Sequence, residues 1–320
     1  MPVAHKPFIL APAGNLTSLK AAIDAGCDEI YFGVKGFNMR QNAGNFSVSD
    51  FSKIKKMCSQ KHVRAFLALN ITIYEHELRK AETIIQKAKE SAMNAIICWD
   101  MAVAGLCEKH KMPFHLSTQA SISNYAALSE AKRHYPHLQR VVLARECSLE
   151  DVRQIIKKIH HNNLNVEVET FVHGAMCVSV SGRCFMSHHL FGKSANRGEC
   201  LQPCRREYEV LLLDPEEQNG LVLGKDFVMS PKDLCCLPFI EKLVDAGISS
   251  FKIEGRNRSP EYVATVVAAY RDVIDFYWKH QEDIRKKGAL SKEYDTLKEK
   301  KMKSLEKVYN RGFSSAFYLG

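Results

Sequence analysis

The chain has no apolar run long enough to cross a bilayer. Its first residues, MPVAHKPFILAPAG, lack the basic start and long apolar stretch of a signal peptide. These absences predict a cytoplasmic protein with no membrane partner. No G-x-G-x-x-G follows the first strand-like run, which argues against a dinucleotide-binding fold. Neither H-E-x-x-H nor G-x-S-x-G occurs, so the zincin helix and the hydrolase nucleophile elbow are both missing. No solenoid repeat and no low-complexity linker divides the chain. What is present is 320 residues, 46% of them apolar, enough to bury a large core. A net charge of +9 favours a polyanionic partner. The excess is densest in KHQEDIRKKGALSKEYDTLKEKKMKSLEKVY, where interleaved acids equally fit a solvated helical face.

Short β-rich runs alternate with amphipathic helical stretches. The strand-like runs are FILAPAG, EIYFGV, RAFLALN, AIICWD, PFHLSTQAS, RVVLARE, VEVETFVHG and SSFKIEG. Each is followed by a helical pattern; Ser148 is placed to cap LEDVRQIIKKIHH, and Pro260 sits in the first turn of the last such helix. Eight strand–helix pairs predict an α/β fold, a (β/α)8 TIM-like barrel, with an open doubly wound sheet as the alternative. The beat breaks between about residues 175 and 225, which predicts an insertion in the loop after strand 7. The expected organisation is a barrel domain over 1–278 and a basic helical segment over 279–320. In such a barrel the chemistry gathers at the C-terminal ends of the strands. Those ends offer Asn70, Asp100, Gln119, Arg145, His173, Glu254 and Arg256.

Eleven cysteines in a chain of this kind do not read as a disulfide framework. Cys27, Cys58, Cys98, Cys107 and Cys147 are scattered beside apolar residues and read as small core hydrophobes. Cys177, Cys184, Cys200 and Cys204 form a cluster inside the insertion, spaced Cys-x6-Cys-x15-Cys-x3-Cys. Four thiolates suit zinc or an iron–sulfur cluster. A Cys177–His173 dyad is the nucleophilic alternative, but it leaves three cysteines unexplained.

ETFVHGAMCVSVSGRCFMS resembles the signature of the collagenase-like peptidase U32 family, and FILAPAGNLTSLKAAIDAGCDEIYFG resembles its N-terminal motif. HLSTQASISN, RVVLARECSLEDV, MSPKDL and FKIEGRNRSPEYVATVVAAYRDVID match in the same order, so the resemblance runs to about Trp278. It implies an oxygen-independent hydroxylase, most similar to the prephenate-dependent tRNA uridine 5-hydroxylase branch. Branches acting on 23S rRNA cytidine or on quinone precursors, and the peptidase of the family name, are the other readings. By the same resemblance Cys177, Cys184, Cys200 and Cys204 are expected to hold a 4Fe–4S cluster, with zinc second. Cys235 and Cys236 leave room for a different fourth ligand. Prephenate, a small dicarboxylate, is the expected co-substrate, and Arg145, Arg256 and Arg40 are the residues to clamp it. His173 and Glu254, with Asp100, are the candidate catalytic residues. Asn70 and Gln119 are expected to read donor or base edges. tRNA or another RNA is the expected partner, with Tyr262 or Phe37 stacking a base. A paralogue or a separate C-terminal-domain protein is a further expected partner.

Overall fold

The computed structural model describes residues 5–212, 221–224 and 227–320. Seven parallel strands follow one another as the sequence pattern predicts: β1 (Phe8–Ala13), β2 (Glu29–Gly33), β3 (Arg64–Ala68), β4 (Ala95–Cys98), β5 (Phe114–Leu116), β6 (Leu138–Val142) and β7 (Glu167–Gly174). Next come a two-stranded antiparallel pair, β8 (Val210–Leu212) and β9 (Leu221–Gly224), then β10 (Asp233–Cys235) and β11 (Ser250–Ile253). β11 pairs in parallel with both β7 and β1, with Ser250 beside Glu169 and Phe8, so eight strands close into a (β/α)8 barrel. The MSPKDL segment does not start another parallel unit. Its end, β10, pairs antiparallel to the tip of β7, placing Leu234 beside Gly174.

The helices between strands cover the outside. Leu16–Asp24 (α1) starts at an Asn15 cap, Phe51–Ser59 (α2) follows β2, and Leu78–Glu90 (α3) buries Ala81, Ile84, Ile85 and Ala88. Met101–Lys109 (α4) and Tyr125–His134 (α5) start at Asp100 and Asn124, and Leu149–His161 (α6) opens on the expected Ser148 cap, reciprocated by Asp151. Met186–Phe191 (α7) lies in the insertion, and Ile240–Asp245 (α8) precedes β11. Pro260–Arg285 (α9) is capped by Ser259, and Ala289–Lys307 (α10) packs along it. Residue 278, the expected domain limit, falls inside α9. After α10 the chain returns to the barrel: β12 (Phe313–Ser314) joins β10, and the Tyr318 hydroxyl donates to the Phe171 carbonyl at 2.8 Å.

Alternation along each strand divides its side chains between the helix layer and the lumen. Leu10, Tyr31, Phe66, Ala95 and Ile97 form an apolar group separate from the main core. Beside it lies a charged network. Arg140, fully buried, donates to both oxygens of Glu29 (2.7 and 2.9 Å), to Glu169 (3.0 Å) and to Glu167 (2.7 Å). Lys252 donates to Glu169 at 2.8 Å, Ser250 to Glu29 at 2.8 Å, and Arg64 also pairs with Glu29. Burial pushes the Glu29 carboxyl up, but Arg140, Arg64 and Ser250 outweigh it and hold it below the usual carboxylate range.

Candidate functional site

The insertion folds back over the C-terminal ends of the strands because several side chains pin it there. Arg197 makes a bidentate pair with Glu77 (2.7 and 2.6 Å) and donates to the Thr72 carbonyl (2.6 Å). Ser181 donates its backbone N–H and its hydroxyl to Glu146 at 2.7 and 3.0 Å. Gly198, at φ 85°, rests on the loop after β2; a Cβ there would come within 2.2 Å of the Asn38 carbonyl oxygen. Only glycine permits both that backbone shape and that approach.

Between insertion and barrel lies a cavity of about 180 Å³. Cys177, Cys184, Cys200 and Cys204 all line it and all are partly exposed, whereas the other seven cysteines are buried. The five scattered cysteines are core residues, as expected. Cys235 and Cys236 also belong to the core: Cys235 Sγ lies 3.7 Å from Met302 Sδ, and the Cys236 N–H donates to the Tyr270 hydroxyl. Burial pushes the Cys200 and Cys204 thiols up, against the pull of Arg40 and Arg205 respectively.

Four of the other sequence-predicted residues line the same cavity: Arg40, Gln119, Arg145 and Glu254. Arg40 pairs with Glu254, its Nη2 lying 3.0 Å from Oε1. Burial pushes the Glu254 carboxyl up, but Arg40 and Arg145 prevail and keep it low. Arg145 donates to the Ala175 carbonyl at 2.9 Å, stacks 4.0 Å from the Phe171 ring, and has a buried Nε with no partner. Gln119 bonds Ser117. Arg256 sits just below, donating to Asn38 Oδ1 at 3.0 Å, and burial lowers its pKa to about 10.

Besides Arg256, three expected residues lie outside the cavity wall. His173 is 2% exposed and packs among Tyr262, Tyr270 and Phe313; burial alone lowers its pKa to about 3, so it is a neutral core imidazole without access to a substrate. Asp100 accepts from the N–H groups of Ala102 and Ile73, capping α4 and holding the loop after β3. Asn70 accepts from the Met39 N–H and so positions the loop after β2. Phe37 and Tyr262 are both buried, which removes them as base-stacking surfaces.

Three further cationic residues belong to the wall. Arg205 donates to Ser230 Oγ (2.7 Å) and to the Pro231 and Met176 carbonyls, Arg258 lies 3.8 Å from the Tyr309 ring, and Arg311 pairs with Asp233 at 3.0 Å. The doubled arginine after Cys204 was the available signal for Arg205; Arg311 arrives from a segment over 100 residues away in sequence. Among the described residues, no carboxylate lies within ion-pair distance of Arg145, Arg205, Arg256 or Arg258. Burial lowers the pKa of Arg145 and of Arg205. The cavity is therefore thiol-lined and electropositive, built to receive negative charge.

A closed (β/α)8 barrel with a thiol- and guanidinium-lined chamber at its C-terminal mouth is the class of protein that this architecture defines. The family model described as peptidase family U32 matches residues 14–320, and the chain belongs to that family. A collagenase of Porphyromonas gingivalis is 40% identical over 98% of this chain and 73% of its own length. The tRNA hydroxylation protein P1 of Bacillus subtilis is 35% identical over 99% of this chain and 72% of its own. A 23S rRNA 5-hydroxycytidine synthase of Escherichia coli is 31% identical over 98% of this chain and 45% of its own. No helix among the described residues is long and apolar enough to cross a membrane.

Proposed function

We propose that the chain is an iron–sulfur, oxygen-independent RNA hydroxylase of the cytoplasm, forming 5-hydroxyuridine at a tRNA wobble position with prephenate as hydroxyl donor. The observation that carries this reading is the placement of four partly exposed thiols and several unpaired guanidinium groups on one cavity. The relatives named for tRNA and rRNA hydroxylation support the reaction class.

Four cysteine thiols on one cavity are a donor set for a 4Fe–4S cluster or for zinc, and the family resemblance favours the cluster. Zinc requires its thiolates at about 2.3 Å from one centre. A cube takes one thiolate at each of four separated corners. Cys177, Cys184, Cys200 and Cys204 would hold it, and Arg40 and Arg205, which already act on the Cys200 and Cys204 thiols, would offset its negative charge. When bound there, the cluster supplies Lewis-acid polarisation of a substrate oxygen or electron transfer.

Arg145 and Arg258, with no carboxylate partner among the described residues, bind the two carboxylates of the donor by charge-assisted hydrogen bonds. Glu254, held ionised and oriented by Arg40, is the group on this wall that can hold a proton beside the reacting base. Gln119 has the donor and acceptor needed at a base edge. The insertion roof limits water around these groups, which strengthens each charge interaction.

The test is anaerobic purification with iron, acid-labile sulfide and zinc measured per chain, beside Cys177→Ala. About four irons and four sulfides, lost in the variant, are expected; stoichiometric zinc without sulfide sinks the proposal. Nucleoside mass analysis of a deletion strain should then show loss of a hydroxylated pyrimidine. The collagenase-named relative favours a peptidase as the second reading. Hydrolysis of a denatured collagen substrate that persists through purification and fails in Cys177→Ala would establish it.

A further inference from the structure

The insertion exposes a run of large apolar side chains. Val178, Val180, Phe185, Leu190, Phe191 and Leu201 are all large apolar residues open to solvent, drawn from a single stretch of the chain. The same stretch is strongly basic: between residues 175 and 206 the only acid is Glu199, against Arg183, Lys193, Arg197, Arg205 and Arg206. An apolar surface of this kind marks a contact site, and the charge indicates what it contacts.

The geometry points further. Phe185 is 79% exposed and lies in the chain between Cys184 and Met186, both of which line the cavity. Arg206 lies 4.8 Å from the Phe191 ring, a cation–aromatic platform that a flat base can extend. Arg183, at the surface, donates through Nη2 to Ser121 Oγ at 2.9 Å. Rings alternating with guanidinium groups, almost free of carboxylate, complement a strand of unpaired nucleotides, which offers base faces and phosphates in the same alternation. A duplex hides those faces. A protein partner of the opposite charge would leave the stacking platform unexplained.

We propose that this face, built on Phe185, Phe191, Arg183 and Arg206, docks a single-stranded RNA loop, stacking flanking bases on the exposed rings and binding their phosphates while the target base enters the cavity below. It rests on the RNA-hydroxylase reading and assigns that activity its substrate form: a looped-out segment, not a helix.

The experiment uses the full chain, prepared without oxygen, and fluorescence anisotropy of two labelled RNAs, a stem-loop and a blunt duplex of the same composition. Phe185→Ala is expected to weaken stem-loop binding about tenfold and to leave duplex binding nearly unchanged. The double variant Arg183→Ala, Arg206→Ala should reduce the salt dependence of stem-loop binding by about two phosphate contacts. Iron and sulfide content and the thermal transition, measured on each variant, should match the parent, since these side chains are exposed. Unchanged stem-loop affinity in Phe185→Ala, or equal losses for loop and duplex, overturns the proposal. So does a Phe185→Ala variant that keeps RNA affinity but loses a co-purifying protein. If a deletion strain shows no missing hydroxylated base while the binding arms behave as expected, the hydroxylase reading fails and the RNA surface stands. Full modification in cells by a variant that no longer binds the stem-loop is the opposite case, and it removes the surface alone.

Discussion

In the lower barrel, Arg140, Arg64 and Lys252 face Glu29, Glu167 and Glu169, and each charge has a partner of the opposite sign. At the mouth, Arg40, Arg145, Arg205, Arg256, Arg258 and Arg311 have Glu254 and Asp233 for company. The lower layer is centred on the fully buried Arg140, and at the mouth Arg256 is buried while the other arginines are partly exposed, so both layers carry some desolvation cost. In the lower layer, ion pairing offsets it within the fold. In the upper layer it is left open, and burial depresses the pKa of Arg145, Arg205 and Arg256 accordingly. A buried cation without a carboxylate is held by the rest of the fold for something that arrives later. The lower network is thus neutralised within the fold, and the upper one keeps an excess of positive charge.

The contrast can be broken most forcefully from below. Arg140→Met removes the guanidinium shared by Glu29, Glu167 and Glu169, leaving Glu29 to Arg64 and Glu169 to Lys252, and should cost about 3–5 kcal/mol of stability in chemical denaturation; an unchanged midpoint would mean that water reaches the network. Arg145→Met should do the reverse. Its denaturation midpoint stays level or rises, because an unpaired buried charge has gone, while the hydroxylated nucleoside restored to a deletion strain falls about tenfold. Equal destabilisation by the two variants would erase the distinction between the layers.

Acid sharpens it. The Glu29 carboxyl is held below its unfolded value, so its stabilisation is complete above the ordinary carboxylate range and is lost as pH falls through the folded value. Stability measured at descending pH should drop along this limb, and Glu29→Gln should flatten it; the same slope in both would remove Glu29 as its source. The smallest effect is expected at His173. Neutral in its aromatic pocket, it should contribute no inflection near pH 6.5 to an activity profile. His173→Phe should cost less than about 1.5 kcal/mol and retain modification. Loss of modification in a stably folded His173→Phe protein would return that imidazole to the chemistry.

The succession of strand–helix units and the cysteine-bearing interruption were legible because each rests on local signals: alternation of period two, helix caps such as Ser148, and cysteine spacing; closure, as against an open sheet, was decided by the pairing of β11 with both β1 and β7. The side on which a strand-end residue projects was not legible either. His173 pairs with Ile253 across a register shift that follows Lys252, so it points with Ile253 toward α9, while Glu254 points into the mouth. Position at a strand end predicts depth, and a bulge changes the facing. Asp100 and Asn70 fail as cavity residues for another reason: their acceptors are taken by backbone N–H groups of nearby loops.

Hydrophobic period and residue spacing act over short stretches of chain, and they were enough for eight strand–helix units and for four cysteines set apart from the rest. Only the tertiary structure decided which charges meet. Arg140 finds Glu29 across 111 positions, and Arg311 returns from beyond α10 to stand in the wall with Arg145. Electrostatic pairing depends on distance in space and on exclusion of water, and both are set only when the barrel closes and the insertion folds over its mouth.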